Sequence, residues 1–176
     1  MLQEPLALES RRRIYCHISE RPGTFMREMI RELDMQPGML TYHLDQLEKS
    51  RLIRSETDGH WKRYYTTEGF PIRDRKIVAV VRQKVTGEIL ILLLENSTMT
   101  FQGLREKLQV AKSTLSHHLK KMTRYEIILS CKLERETAYR LVDPENVLNV
   151  LSCIRSSLEG DAADRLQSLW DTLSKR

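Results

Sequence analysis

The side chains best suited to binding chemistry lie in residues 112–124, which combine lysines, hydroxylated residues and adjacent histidines. Apolar residues at three- and four-residue spacing, Leu115, Leu119 and Met122, predict a helix that buries this stripe. The opposite face then carries cations and small hydrogen-bonding groups but no acid, which suits phosphates and the polar edges of bases. Its candidate contact residues are Lys112, Ser113, Thr114, Ser116, His117, Lys120, Lys121 and Arg124.

A second segment with the same apolar pattern covers residues 37–49, but its outer face mixes acids and bases. The candidate contact residues on this face are Thr41, Tyr42, Gln46 and Lys49. Flanking segments add cations that could reach a phosphate backbone or the minor groove of a duplex. These are His60, Lys62 and Arg63 beside Trp61, and Arg12 within the basic run 11–13.

Several of these residues also have a plainer interpretation, which the sequence leaves open. Ser113 fits a helix N-cap, and Tyr42 and His117 fit solvated surface positions. The basic run 11–13 fits an ordinary solvated helix face. His43 and His118 flank buried leucines, so we predict that they are half-buried packing or hydrogen-bonding residues.

A repeat relates the two segments. His43-Leu44 and His118-Leu119 are 75 positions apart, and the same offset aligns the apolar residues around them without a gap. Further pairs at this offset are Ile14 with Ile89, Leu33 with Leu108, Leu40 with Leu115, Ile53 with Ile128 and Tyr64 with Tyr139. The chain is therefore predicted to contain two copies of one small domain.

Each copy is predicted to contain three helices followed by a two-stranded hairpin. In the first copy the helices cover 9–20, 25–33 with Thr24 as N-cap, and 37–50, and the strands cover 52–55 and 61–65 around the turn Asp58-Gly59. In the second copy the helices cover 87–95 with Thr86 as N-cap, a segment from Thr98 or Thr100 to Leu108, and Ser113 or Thr114 to Tyr125. Its strands cover 127–132 and 137–142.

The order of these elements and the sequence of the third helices resemble a known family. Lys112 to Met122, with His117-His118-Leu119-Lys120, resembles the recognition helix of ArsR-type repressors, and Gln36 to Leu47 looks like the same signature. Together the copies are similar to archaeal and bacterial transcription regulators that carry two winged helix-turn-helix domains in one chain. The resemblance implies a mainly α fold with small β wings (α+β), and a regulator that binds double-stranded DNA sequence-specifically through two recognition helices in the major groove.

The predicted domain boundaries follow from the repeat. The first winged domain covers 7–70, a connecting helix 71–85, the second winged domain 86–142, and C-terminal helices 143–176, at about 145–158 and 161–173. A homodimer is expected through apolar residues of the C-terminal helices. A partner in the transcription machinery is also expected. The predicted dimer residues are Val147, Leu148, Leu151, Ile154, Leu166, Leu169, Trp170 and Leu173.

Composition excludes other classes of protein. With 40% hydrophobic and 30% charged residues in 176, the chain is globular, and its net charge is only +5. It contains no apolar run long enough for a membrane span and no secretory signal, so a cytoplasmic protein is expected. The three scattered cysteines predict reduced thiols, although a redox switch at Cys131 or Cys153 stays open.

We expect no enzymatic activity, metal site or cofactor. Cys16 and His17 would point apart on a helix, and the chain has no Gly-rich phosphate loop or nucleophile elbow. The resemblance implies metal-sensing cysteines at 27–30 and 102–105, but none occurs there. The alternative to DNA binding is a winged-helix module that binds another protein, for which the mixed charge of residues 37–49 is the main argument.

Overall fold

The computed structural model describes residues 5–133 and 135–154, and the chain divides after Arg75 into two units. Unit 1 contains α1 (Glu9–Glu20), β1 (Thr24–Phe25), α2 (Met26–Leu33), α3 (Pro37–Lys49), β2 (Ile53–Asp58) and β3 (Trp61–Thr66). Helix α4 (Ile72–Val81) includes the point of division. Unit 2 contains α5 (Lys84–Asn96), β4 (Met99–Thr100), α6 (Phe101–Leu108), α7 (Lys112–Arg124), β5 (Ile128–Leu133), β6 (Glu136–Leu141) and α8 (Pro144–Cys153).

The predicted repeat is confirmed in the backbone. Helices α2 and α3 and all three strands of unit 1 recur 75 positions later with the same bounds. Left-handed backbone also recurs, because Asp34 and Gln109 have φ values of 51° and 52°, and Arg51 and Glu126 have 58° and 59°. Arg51 and Glu126 each lie two residues after the end of the third helix of their unit. The two units therefore share one fold down to the conformation of single turns.

Burial of the predicted apolar stripes produces a separate core in each unit. In unit 1, Leu40, Leu44 and Leu47 of α3 are at most 2% exposed and belong to one cluster with α1 and α2. In unit 2, Leu115 and Met122 of α7 are fully buried. Each such side chain contributes about 1.5–3 kcal/mol on burial. This packing leaves the opposite faces of α3 and α7 to solvent.

Each unit has a three-stranded antiparallel sheet rather than a hairpin alone. The order is β1-β3-β2 in unit 1 and β4-β6-β5 in unit 2. Thr24 pairs with Tyr64, and Asp58 pairs with Trp61 across a two-residue turn in which Gly59 has φ 65°. The predicted turn at Gly59 is thus confirmed. Strands β1 and β4 were not predicted because two residues are too few to show an alternating pattern.

The predicted N-caps are partly wrong. Thr24 lies in β1, and its hydroxyl donates to the Glu28 carboxylate at 2.9 Å instead of capping α2. Thr86 lies inside the first turn of α5, where its buried hydroxyl donates to the carbonyl oxygen of Gln83 at 3.0 Å. Thr100 does cap α6, since its hydroxyl accepts the backbone N–H of Gly103 at 3.1 Å.

Helices α4 and α8 correspond to the predicted connecting helix and to the first predicted C-terminal helix. The helix predicted over 71–85 corresponds to α4, which ends at Val81. The last residues of the predicted range belong to α5, which begins at Lys84. Helix α8 begins at Pro144, and the Asp143 carboxylate caps it by accepting the N–H of Asn146 at 3.0 Å. The end of the predicted helix 145–158 and the whole of the predicted helix 161–173 lie outside the described residues.

Candidate nucleic-acid interface

The outer face of α7 is cationic and lies opposite the buried apolar stripe of the same helix. Six of the eight predicted contact residues are exposed, and Ser116 and Lys121 are half-buried. The helix itself contains no acid. The exposed six are Lys112, Ser113, Thr114, His117, Lys120 and Arg124. Folding therefore gathers cations and short hydroxyl side chains on one surface.

The first turn of α7 leaves backbone donors available to a ligand. Ala111 occupies the N-cap position, and among the described residues no side chain caps the helix there. Ser113 is therefore not the N-cap, and that plainer interpretation is wrong. The uncapped N–H groups favour an anion at this end of the helix, beside Lys112.

His117 and His118 have different environments although they are neighbours. His117 is exposed, and its ring lies edge-on to that of His118 with centroids 5.6 Å apart. His118 is half-buried, and within the described part of the chain its Nδ1 has no hydrogen-bond partner. Burial lowers the pKa of His118, and the charges of His117 and Lys121 lower it further. His118 thus packs as a neutral ring, and His117 is the one available for contact.

The corresponding face of α3 is less suited to a polyanion. Thr41, Tyr42 and Lys49 are exposed, with Tyr42 at 58%, and Gln46 is half-buried. The Thr41 hydroxyl already donates to the carbonyl oxygen of Pro37 at 2.9 Å, so its oxygen as an acceptor and its methyl group are the parts left for contact. His43 is buried, and burial followed by the charge of Arg11 lowers its pKa.

Two of the predicted wing cations are already engaged. Lys62 Nζ lies 3.2 Å from the Glu48 carboxylate. Burial lowers the pKa of Lys62, but hydrogen bonds and charges from Glu48 and Tyr64 outweigh the effect of burial, so that the pKa is raised overall. Arg63 is only 4% exposed, and its guanidinium donates to the carbonyl oxygen of Gly23 at 2.9 Å. Arg63 is therefore corrected from a DNA contact to a buried structural residue. His60 stays exposed in the turn of the wing.

The structure adds an exposed aromatic cluster on the first wing that the sequence did not predict. Trp61 is 47% exposed, and its ring centroid lies 5.5 Å from that of Phe25 in β1. The guanidinium of Arg27 lies 5.7 Å from the Trp61 ring. The sequence analysis missed this cluster because it did not predict strand β1. The pairing of β1 with β3 brings Phe25 beside Trp61.

Comparisons with known families agree with this architecture in both units. Residues 8–78 match a family model described as an N-terminal HTH domain, and residues 88–129 match one described as a bacterial regulatory protein of the arsR family. The chain therefore contains two helix-turn-helix domains, one matched by each family model. The resemblance predicted from the third helices is thus confirmed, as is the α+β winged-helix fold class.

A relative of this chain is described as an uncharacterized HTH-type transcriptional regulator of Methanocaldococcus jannaschii. The two are 28% identical over 128 residues, which is 73% of this chain and 32% of the relative. The chain thus spans about a third of the length of the curated relative it matches.

The three arginines of the basic run on α1 have different roles. Arg12 is exposed, with its guanidinium 3.5 Å from the Glu9 carboxylate. Arg13 donates to the carbonyl oxygen of Leu33 at 2.9 Å and so stabilises the end of α2. Arg11 is half-buried and lies close enough to His43 to act on its charge. Of the run, Arg12 is the residue best placed for contact with solvent or a ligand.

The described part of the chain contains neither a metal-ligating cluster nor a helix suited to a membrane. Within residues 5–133 and 135–154, no three His, Cys, Asp or Glu side chains lie close enough to hold a metal ion. No helix in this range combines the length and apolar character that crossing a bilayer requires. Cys16 and Cys153 are exposed, and Cys131 is half-buried; all three are free thiols.

Proposed function

We propose that this chain is a transcriptional regulator that binds double-stranded DNA sequence-specifically and reads the major groove with α3 and α7. The observation that carries the proposal is the acid-free outer face of α7, held above a fully buried stripe. The two helix-turn-helix family models and the name of the relative support it. The proposed activity is binding, and it requires no catalytic group or cofactor.

Within α7, side-chain length divides the proposed contacts into two kinds. Ser113, Thr114 and Ser116 are short and lie in the first half of the helix, where a recognition helix meets base edges. His117 adds a ring nitrogen to the same group. The longer cations supply contacts to phosphates, which set affinity and its dependence on salt. These cations are Lys112, Lys120, Lys121 and Arg124.

Unit 1 would make a weaker electrostatic contribution. On α3, Thr41, Tyr42 and Gln46 would contact bases, and Lys49 would contact the backbone. The first wing would approach the DNA with His60 and with Trp61, whose ring lies beside the guanidinium of Arg27. Arg12 would add a contact from α1. Lys62 would contribute only when a phosphate competes with Glu48 for its ammonium group.

Selection from a randomised duplex pool, followed by salt titration of the selected site, tests this function. We expect an enriched motif and a steep loss of affinity with salt. Lys112→Ala/Lys120→Ala should lower the slope of log K against log salt by about 0.9 for each phosphate that is no longer neutralised. Ser116→Ala/His117→Ala should instead reduce the preference for the motif, by about 1–3 kcal/mol for each base that is no longer read.

Lys84→Ala is a matched control, because it removes an exposed lysine from α5 and leaves α7 intact. Its salt slope and motif preference should equal those of the wild type. Selection that enriches no sequence, with the protein folded by circular dichroism, would contradict the proposed function.

A second candidate function is a winged-helix module that binds another protein. The observation that favours it is confined to unit 1, where Met39 and Tyr42 on α3 are 42% and 58% exposed, beside a mixed charge pattern. Exposed apolar and aromatic side chains are typical of protein interfaces. Failure to enrich DNA, combined with retained folding, would favour this function, and a component of the transcription machinery is the expected partner.

A homodimer is proposed from the sequence of the C-terminal part alone. Val147, Leu148, Leu151 and Ile154 are at most 7% exposed within the single chain, so they are not available as a dimer surface. The remaining candidates are Leu166, Leu169, Trp170 and Leu173, which lie outside the described residues. Light scattering should give twice the chain mass, and Leu166→Glu/Leu169→Glu should give the monomer. A monomeric wild type at micromolar concentration would contradict the dimer.

A further inference from the structure

An open groove lies at the base of the first wing, between the C-terminal end of α3 and the start of β2. Its volume is about 410 Å³, which is within the range of small-molecule sites. The residues that line it are Glu48, Arg51, Ile53, Arg54, Ser55 and Thr67. None of them belongs to the predicted DNA contacts. The proposed contacts with DNA therefore do not account for this groove.

The arginines of this groove are poorly satisfied by the protein. Within the part of the chain that the structure describes, the exposed Arg51 guanidinium makes no hydrogen bond or ion pair. Arg54 Nη2 reaches the carbonyl oxygen of Thr67 only at 3.4 Å, and its Nε is buried and has no partner among the described residues. A buried donor without an acceptor costs about 1–3 kcal/mol. An oxygen-rich ligand in the groove would supply acceptors to the exposed guanidinium of Arg51 and to the part of Arg54 that lines the groove.

The charge of the groove favours an anion. Among its six lining residues only Glu48 is acidic, and the carboxylate of Glu48 already accepts a hydrogen bond from Lys62 at 3.2 Å. Arg51 and Arg54 therefore leave the groove positively charged. The planar fork of a guanidinium matches the paired oxygens of a phosphate or a carboxylate. The Ser55 and Thr67 hydroxyls add neutral hydrogen-bonding groups to the lining.

Unit 2 shows that the fold does not need these arginines. At the repeat offset of 75, Glu126 stands in place of Arg51, Leu129 in place of Arg54, and Val142 in place of Thr67. The backbone is the same at the first of these positions, with φ values of 58° for Arg51 and 59° for Glu126. One fold thus accepts an acid and an apolar residue where unit 1 has two cations. The arginines of unit 1 are explained by a ligand better than by stability.

We propose that this groove binds a small molecule that carries a phosphate or carboxylate group, with Arg51 and Arg54 as its anchors. The residues that line the groove are not among the proposed DNA contacts of unit 1. Because Glu48 lines the groove and also binds Lys62, the ligand would lie next to the contact that joins the wing to α3. A small ligand of the regulator is then the expected source of the anion, and the phosphate backbone of DNA is the competing source. This regulatory role rests on the proposed function, whereas binding of the anion does not.

Isothermal titration calorimetry of the full chain with inorganic phosphate and with citrate, at low ionic strength and without DNA, tests the proposal. The variant Arg51→Glu/Arg54→Leu carries the residues of unit 2, which the same fold accommodates. We expect the wild type to bind at least one of the two anions, and the variant to bind it at least about tenfold more weakly. Arg51→Glu alone, at an exposed position, should also weaken binding and serves if the double variant does not fold.

Lys84→Ala and Lys107→Ala are the controls for general attraction of anions to a basic protein, because both remove an exposed lysine that is not a proposed contact. Both should bind the anion as the wild type does. Equal weakening in these controls, or equal binding by the wild type and Arg51→Glu/Arg54→Leu, would overturn the proposal. A wild type that binds neither phosphate nor citrate would overturn it as well.

A parallel titration with the selected duplex distinguishes the two sources of phosphate. If Arg51→Glu/Arg54→Leu retains the DNA affinity and salt slope of the wild type, the groove serves a small ligand. If it loses affinity for DNA and the salt slope falls, while binding of the free anions is unchanged, the arginines contact the DNA backbone and the proposal fails. Absence of any DNA binding by the wild type would contradict the proposed function but leave the anion result to stand on its own.

Discussion

Lys62 in the first wing donates a hydrogen bond to Glu48 near the end of α3, across 3.2 Å. The contact joins residues that are 14 positions apart and belong to different elements. It fixes a wing cation against α3 and reduces the positive charge that unit 1 would offer to DNA under the proposed function. At the repeat offset, unit 2 has Thr123 and Thr137, which cannot form an ion pair.

Glu48→Gln is expected to release Lys62 for DNA. Affinity for the selected duplex should rise about two- to fivefold at low salt, and the salt slope should increase by about 0.9 if Lys62 then neutralises one phosphate. Stability should change by no more than about 1 kcal/mol, because the pair is partly exposed. Fluorescence anisotropy at several salt concentrations measures both effects. The control Asp45→Asn removes an acid from α3 without freeing Lys62, so an equal increase in salt slope for both variants would contradict this explanation.

Arg63→Ala is expected to destabilise unit 1. The variant lacks the 2.9 Å hydrogen bond to Gly23 and the packing against the Phe25 ring, both in a buried environment. We expect the free energy of unfolding in urea to fall by about 2–4 kcal/mol. The exposed Arg12→Ala should change it by less than about 0.5 kcal/mol. Unchanged stability with weaker DNA binding would restore Arg63 as a DNA contact.

Stability should decrease as the pH falls below neutrality. Burial, and then the charge of Arg11, holds the pKa of His43 below 6.5, the value of an unperturbed histidine. Because the unfolded chain takes up a proton near that pH and the folded chain resists it, acid favours unfolding. His118 acts in the same direction through burial and the nearby charges of His117 and Lys121. Each histidine contributes at most about 1.4 kcal/mol per pH unit.

Urea unfolding at pH 7.5 and pH 5.5 measures this dependence. His43→Leu and His118→Leu should each flatten it, and the double variant should flatten it further. A double variant that retains the full pH dependence of the wild type would show that other groups cause it.

Thr100→Ala is expected to destabilise unit 2 by about 1 kcal/mol, because it removes the acceptor of the Gly103 N–H at the start of α6. Ser113→Ala is the matched control, since Ser113 lies one residue inside α7 and does not cap it. Thermal unfolding compares the two variants. Equal losses would mean that the effect arises from removing any hydroxyl group near a helix start.

The sequence alone determined the repeat, the third helix of each unit and the outer face of α7. These features depend on local patterns, in which apolar residues recur at three- and four-residue spacing and fix which side of a helix is buried. Leu115, Leu119 and Met122 are buried as that spacing predicts, and this alone decides that Lys112 and Lys120 lie outside.

Only the tertiary structure decided the roles of Arg63, Lys62 and Thr24. Each depends on a partner from another element: the carbonyl oxygen of Gly23 lies 40 residues from Arg63, and Thr24 pairs with Tyr64 in β3. A charged residue in an alternating strand is equally compatible with solvent or with a buried acceptor until the chain folds back. The sequence therefore specified which stripe of α3 and of α7 is buried, and the packing of distant segments specified which cations remain available for binding.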